Sequence, residues 1–172
     1  RARAGLPAVL PDGMIPEVWF VRLIDALREE LDPESAERVL RRAGAYTAVY
    51  VATRRIPAVV RGVLGVLPAR ASIPILLAAF RKHAWTFAGA GRFTAEGEYP
   101  GMLVLEDAPT CRHRRGDRMS GAYYEAAFEG LLRIASPKVR VREVACQGAG
   151  APRCRFHVTL HAPAAEVSCA SS

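Results

Sequence analysis

Four cysteines, Cys111, Cys146, Cys154 and Cys169, carry the most suggestive chemistry in this chain. Cys146 and Cys154 bracket the turn QGAGAP between two alternating segments, KVRVREVAC and RCRFHVTLH, which read as the strands of a hairpin. Side chains alternate across a strand. Val139, Val141 and Glu143 therefore share one face, opposite Lys138, Arg140 and Arg142. In the second strand Cys154, Phe156, Val158 and Leu160 face one way, and Arg153, Arg155, His157 and Thr159 the other. Glu143 and Cys154 thus fall on apolar faces, with Cys146 at the turn between them. A carboxylate in that setting is costly unless a cation meets it. Two thiols and a carboxylate around a tight turn suit Zn²⁺, which takes sulfur, nitrogen and oxygen ligands in a tetrahedron. A fourth ligand would come from the preceding loop, from Cys111 or His113. The alternative is that both cysteines are small buried hydrophobes and Glu143 pairs with an arginine. The spacing E-x-x-C-x7-C leaves both readings open.

Beyond the thiols, the residues suggest a ligand compartment. Tyr123, Tyr124 and Phe128 project from a helix that also carries Gly121 and Ala122, whose small side chains leave room. Leu76, Phe80 and Trp85 are candidates for the facing wall. Apolar clefts with a few polar anchors bind large flat ligands, and the same residues can equally form an ordinary core. Arg112, Arg114, Arg115 and Arg118 could pair bidentately with ligand carboxylates or form a solvated basic loop. His83, late in an apolar helix, could offer an imidazole to a metal macrocycle, or simply sit at the negative end of the helix dipole. His157 and His161 read as solvent-facing, and Asp107, Asp117 and Glu125 as solvated charges. Neither Gly89-Ala90-Gly91 nor Gly148-Ala149-Gly150 opens a helix after a strand, as a dinucleotide-binding turn does. The cysteine spacing does not match an iron–sulfur framework. No catalytic side chain is identified.

These groups need a scaffold, and 172 residues suffice for one domain with a real core. Apolar residues make up 51% and charged residues 24%, which excludes a disordered, collagenous or disulfide-dense chain. No apolar run is long enough to span a membrane. Arg1 to Leu10 lack the compact apolar run of a signal peptide. The expected location is the cytoplasm, with a peripheral seat on a membrane surface as a variant of it. The net charge of +7 favours anionic partners. Nucleic acid is not expected, because the bases are scattered rather than gathered on one helix.

The pattern divides into an irregular lead-in over 1–15, one domain over 16–162 and a frayed tail over 163–172. Phe20, Leu23, Ile24, Leu27 and Leu31 mark one face of a first helix. Asp32-Pro33 starts a second, which runs to about Ala52. Pro57 opens a third through Leu67, and a fourth runs from about Ile73 to Trp85, apolar nearly all round at its start. Phe87 to Thr94 and Gly101 to Glu106 read as a first hairpin, followed by a polar loop over 107–117. Met119, Ala122, Tyr123, Ala126, Gly130 and Ile134 mark a fifth helix, ending near Ser136-Pro137, before the cysteine hairpin. The expected fold class is α+β: N-terminal helices packed with an antiparallel sheet of two hairpins separated by a helix.

The stretch from Ser120-Gly121 through Glu143, Cys146, Gly148, Gly150, Cys154 and Phe156 resembles the 4-vinyl-reductase domain family. In that family a small-residue helix precedes a strand carrying E-x-x-C, a Gly-containing turn and a second Cys. The family is similar in fold to the ligand-binding domains of Bet3-type vesicle-tethering subunits and to the sensors of phenol-responsive bacterial regulators. The resemblance therefore implies a Bet3-like ligand-binding domain. Those sensors bind zinc through a loop Cys, the Glu and the two hairpin Cys residues. Glu143, Cys146 and Cys154 match residue by residue. Cys111 precedes Gly121 by ten residues. The family places its loop Cys about two residues nearer, where this chain has His113, so either residue is the fourth ligand.

The opening Pro16-Glu17-Val18-Trp19, the Pro57 segment and the helix with Trp85 look like the bacteriochlorophyll-biosynthesis branch of this family. That likeness implies a structural Zn²⁺ and a bound magnesium tetrapyrrole, a magnesium-porphyrin intermediate whose propionates the loop arginines would meet. The implied role is carrier or assembly factor for other bacteriochlorophyll pathway enzymes. One alternative is a 4-vinyl reductase acting on a divinyl tetrapyrrole with electrons from a partner. Another is an interaction module that forms a homodimer through its helices and takes no small ligand.

Overall fold

Prolines and capping side chains set the helix boundaries. In a computed structural model, which describes residues 5–7, 15–97, 101–111 and 121–160, α1 spans Glu17–Glu30 and α2 spans Pro33–Arg54. Asp32 caps α2 by accepting a 2.9 Å hydrogen bond from the Ser35 amide, and Pro33 takes the first helical position. The Arg61 guanidinium closes the other end of α2, donating to the carbonyls of Ala52 and Ile56 at 2.7 and 2.8 Å. Helix α3 (Ala58–Val66) follows Pro57, and α4 (Ala69–Lys82) follows Pro68.

The sheet comprises β1 (Arg92–Glu96), β2 (Met102–Glu106), β3 (Val139–Ala145) and β4 (Cys154–Leu160), in the order β1-β2-β4-β3. Every neighbouring pair is antiparallel. The two expected hairpins are present, and β2 pairing with β4 joins them into one sheet. Between the hairpins in sequence lies a helix, α6 (Ala122–Leu132). The chain is thus an α+β domain, as its pattern predicts.

Helix α2 packs closely on α6. A Cβ at Gly44 would meet the Tyr123 carbonyl, and one at Gly130 would meet Ala48, so two missing side chains let the backbones approach. The main core lies under the sheet and includes Ile73, Leu76, Phe80, Leu103, Leu105, Tyr124, Phe128, Phe156 and Val158.

Three expected features are corrected. The segment before β1 is not a strand: α5 (Trp85–Ala88) is a single helical turn, and β1 begins only at Arg92. Gly89 at φ 57° and the close approach of Gly91 to neighbouring carbonyls turn the chain before extended pairing can start. Helix α4 starts at Ala69, directly after Pro68, and carries Pro74 inside it. Its apolar start is only partly buried: Ser72, Ile73, Leu76 and Phe80 are buried, and Ile75 is half exposed.

Candidate metal centre

Three sulfurs converge at the end of the sheet. Cys111 comes from the turn after β2, where its amide donates to the Ala108 carbonyl at 2.9 Å. Cys154 is the first residue of β4, and Cys146 follows β3. The Cys111 Sγ lies 3.4 Å from that of Cys154 and 3.9 Å from that of Cys146; Cys146 and Cys154 are 4.0 Å apart. Thiolates bound to one tetrahedral Zn²⁺ at about 2.3 Å must lie about 3.8 Å from one another. All three cysteines are buried, and the three distances are of metal-site size.

A register shift in β3 brings Cys146 to this side. Glu143 stands opposite Phe156, yet Ala145 stands opposite Arg155, so one extra residue is inserted at Val144. Simple alternation from Glu143 would point Cys146 to the opposite face. The bulge reverses the parity, leaving Val144 exposed and Cys146 buried on the side of Glu143 and Cys154.

Glu143 lies next to the cluster, beside Cys146, but its carboxylate oxygens are not drawn in among the three sulfurs. It fills the space where Gly121 lacks a Cβ, since any side chain at 121 would collide with its carboxyl carbon and oxygens. Its Oε1 is buried with no hydrogen-bond partner, and no described arginine pairs with it. Burial and the neighbouring Cys146 push its pKa up to about 9. An orphaned buried carboxylate oxygen next to Cys146 is costly unless a cation meets it. The Cys154 thiol is also pushed up, by hydrogen bonding with Cys111 and Cys146 and by burial. In the other direction, the Gln147 amide donates to Cys154 Sγ at 3.3 Å, which favours thiolate. The three sulfurs thus fit a metal ion, with Glu143 close enough to Cys146 to be drawn in as a further ligand.

Other supports were not legible in the sequence. Thr110 is buried with its hydroxyl 3.4 Å from Cys111 Sγ. The Gln147 side chain accepts a 2.8 Å bond from the Asp107 amide, tying the end of β2 to the turn after Cys146. Asp107 itself adopts φ 51°, a conformation that short polar residues tolerate. Glu125, expected as a solvated charge, instead accepts a 2.8 Å bond from the Glu143 amide and pairs with Arg41. Glu129 likewise accepts from the Val141 amide at 2.9 Å. Strand β3 is a sheet edge, and these two carboxylates occupy its open amides.

The aromatic residues form a closely packed cluster. Phe80 and Phe128 stack with centroids 6.0 Å apart, and Tyr124 stacks on Phe128 at 5.9 Å. Phe87 and Phe93, which the sequence pattern does not place here, meet edge to face at 5.4 Å. The Tyr124 hydroxyl donates to the Phe87 carbonyl at 2.9 Å. Leu76 belongs to the same core, Tyr123 is half-buried, and Gly121 lies against Glu143 rather than against the rings. Trp85 does not stand opposite them: it is 63% exposed, because α5 turns it outward. A separate cleft of about 160 Å³ opens between α4 and the β1–β2 hairpin, lined by Pro74, Leu77, Arg81 and Met102. His83 ends α4 at the surface, and His157 points outward on β4. His113, Arg112, Arg114, Arg115, Arg118, Asp117, His161 and Cys169 lie outside the described residues.

Comparison with known proteins places this geometry. A family model for the 4-vinyl-reductase domain matches residues 103–160, the stretch that holds all three clustered cysteines and Glu143. The bacteriochlorophyll synthase 23 kDa chain of Cereibacter sphaeroides is 38% identical over 159 residues, covering 91% of this chain and 77% of that one. The protein of the same name from Rhodobacter capsulatus is 36% identical over 155 residues, covering 89% and 72%. The phenol-responsive sensory domain of the transcription activator PoxR, solved with phenol, superposes with a TM-score of 0.54 at 16% identity, over 86% of this chain and 75% of that one. That likeness is one of fold.

Proposed function

From the premise that this chain belongs to the 4-vinyl-reductase-domain family of bacteriochlorophyll synthase 23 kDa chains, we propose that it binds a magnesium tetrapyrrole intermediate as a carrier or assembly factor, around a structural zinc site. Work in bacteriochlorophyll synthesis, in association with pathway enzymes, follows from the relatives. The finer role is our reading. Cys111, Cys146, Cys154 and Glu143 would hold the Zn²⁺. If the Glu143 carboxylate joined the three sulfurs, the ion would have four protein ligands and no open position, the arrangement of a structural rather than a catalytic zinc. The convergence of three buried thiols is the observation that carries the reading. It makes the metal a clamp joining the end of β2, the bulged end of β3 and the start of β4.

The ligand compartment we propose is the aromatic cluster between α4, α5 and α6. Its rings fill it in the structure, so a macrocycle would enter by displacing Phe80 and Phe87, which the α4–α5 segment carries. Flat aromatic rings leave a lining suited to a flat ligand. The Tyr124 hydroxyl, which burial holds protonated by raising its pKa, would remain as a polar anchor.

Titration with magnesium-protoporphyrin monomethyl ester tests this. Saturable quenching of tryptophan fluorescence that Trp85→Phe largely removes is expected, because Trp85 sits where α4 gives way to α5. Linear quenching, or quenching carried by Trp19 alone, would refute the compartment.

A further inference from the structure

Helix α3 breaks the usual rule that a helix apolar on all sides is buried. Leu64 faces the core at 3% exposure, yet on the opposite side Val59, Val63 and Val66 stand 78%, 53% and 88% exposed. These three recur at the spacing of one helical stripe. Its one charge, Arg61, is committed to the carbonyls that end α2. The stripe is framed by cations: Arg54 and Arg55 precede α3, Arg70 follows it, and all three are exposed. None of them forms an ion pair among the described residues. More broadly, between Glu37 and Glu96 the chain contains ten Arg or Lys residues and no Asp or Glu.

We propose that α3 is the seat of a peripheral attachment to an anionic lipid surface, with the Val59–Val63–Val66 stripe entering the headgroup boundary and Arg54, Arg55 and Arg70 meeting lipid phosphates. An apolar helix face with flanking arginines has the composition of an interfacial anchor, and each base near an anionic surface strengthens attachment several-fold. A second copy of the chain fits the same face poorly. In a two-fold pair each patch meets itself, which would bring together two segments that carry arginines and no acid. A nucleic acid would satisfy the arginines but leave the valines in water.

Co-sedimentation of the full chain with vesicles tests the proposal. Binding is expected to phosphatidylcholine vesicles containing phosphatidylglycerol, to be weak on pure phosphatidylcholine, and to fall at high salt. Arg54→Gln with Arg55→Gln should weaken it roughly 30-fold, and Val59→Asp with Val66→Asp about tenfold or more. Both valines are exposed, so the second variant should keep the wild-type melting curve. Val18→Ser, exposed on α1, should leave binding unchanged. Equal binding to neutral and anionic vesicles would overturn the proposal, as would binding that survives the valine changes. A dimer in sedimentation that Val59→Asp with Val66→Asp dissociates, without vesicle binding by the parent, would assign the face to a second copy instead.

Discussion

At the scale of single residues, the thiol cluster and Glu143 make distinct predictions. If the metal clamps the hairpin, the purified protein should contain about one Zn²⁺ per chain by elemental analysis, and Cys154→Ser should lose it along with thermal stability. Cys111→Ser should do the same, because Cys111 Sγ lies 3.4 Å from Cys154 Sγ, whereas His113→Ala should retain the metal. Full metal retention by Cys111→Ser would assign the fourth position elsewhere. The pH dependence should reverse between the two forms. Without metal, Glu143 binds its proton more tightly folded, with a pKa near 9, than unfolded, near 4.5. Its contribution is fully present below the unfolded value and is lost as pH rises through the folded one. With metal, protons compete with the ion for the thiols and the carboxylate, so zinc affinity should strengthen over the same range. Melting curves of loaded and stripped protein across that window check both signs; parallel slopes would contradict this account. Gly121→Ala places a methyl group on the Glu143 carboxylate and should release zinc to a chelator more readily.

At the scale of elements, α6 is held from both sides. Its carboxylates cap the open edge of β3, and its small residues meet α2. Glu129→Ala would leave the Val141 amide without its acceptor and Arg133 without its carboxylate, costing about 1–3 kcal/mol in urea unfolding. Gly44→Ala should also destabilise, since the new methyl meets the Tyr123 backbone, which cannot swing aside. Gly62→Ala, in a helix with open space around it, should stabilise by up to about 1 kcal/mol. These contacts mark how far the elements could be read from the sequence. The hairpin strands were legible because Val139, Val141, Cys154, Phe156 and Val158 alternate on a buried face, and α2 because Asp32-Pro33 announces it. The bulge at Val144 was not: it conserves the local pattern while shifting every later side chain by one position. Glu125 read as solvated because its target, an amide on β3, lies 18 residues away and only the folded sheet edge creates the need. Phe87 and Phe93 looked like neighbours on one strand, since the turn between them depends on the positive φ at Gly89. The cysteine cluster was half legible: parity put Cys154 on the buried face, but Cys146 reaches that face only through the bulge, and the position of Cys111 beside them is a tertiary fact.

At the scale of the whole molecule, the remaining issue is whether this chain reduces a vinyl group or presents one to another protein. Reduction needs a hydride or an electron pair delivered to the vinyl carbon by a donor held in contact with it. Amino-acid side chains do not supply a hydride, and Zn²⁺ undergoes no redox change. Three thiols and Glu143 would also complete its coordination, so the metal could not polarise a substrate either. What the proposed features would do is hold: a zinc-clamped sheet, an aromatic cluster under α4 and α5 that could open for a ring, and on α3 a surface suited to lipid. On the proposed reading such a protein would keep a sparingly soluble macrocycle out of water and near a membrane. Purified protein given divinyl substrate and NADPH is therefore expected to form no monovinyl product by itself. Adding it to a pathway enzyme that consumes magnesium-protoporphyrin should raise that enzyme's rate at limiting substrate, and Cys154→Ser should lose the effect together with the metal. Monovinyl product from this protein and NADPH alone would show that it is the reductase, and the carrier reading would fall.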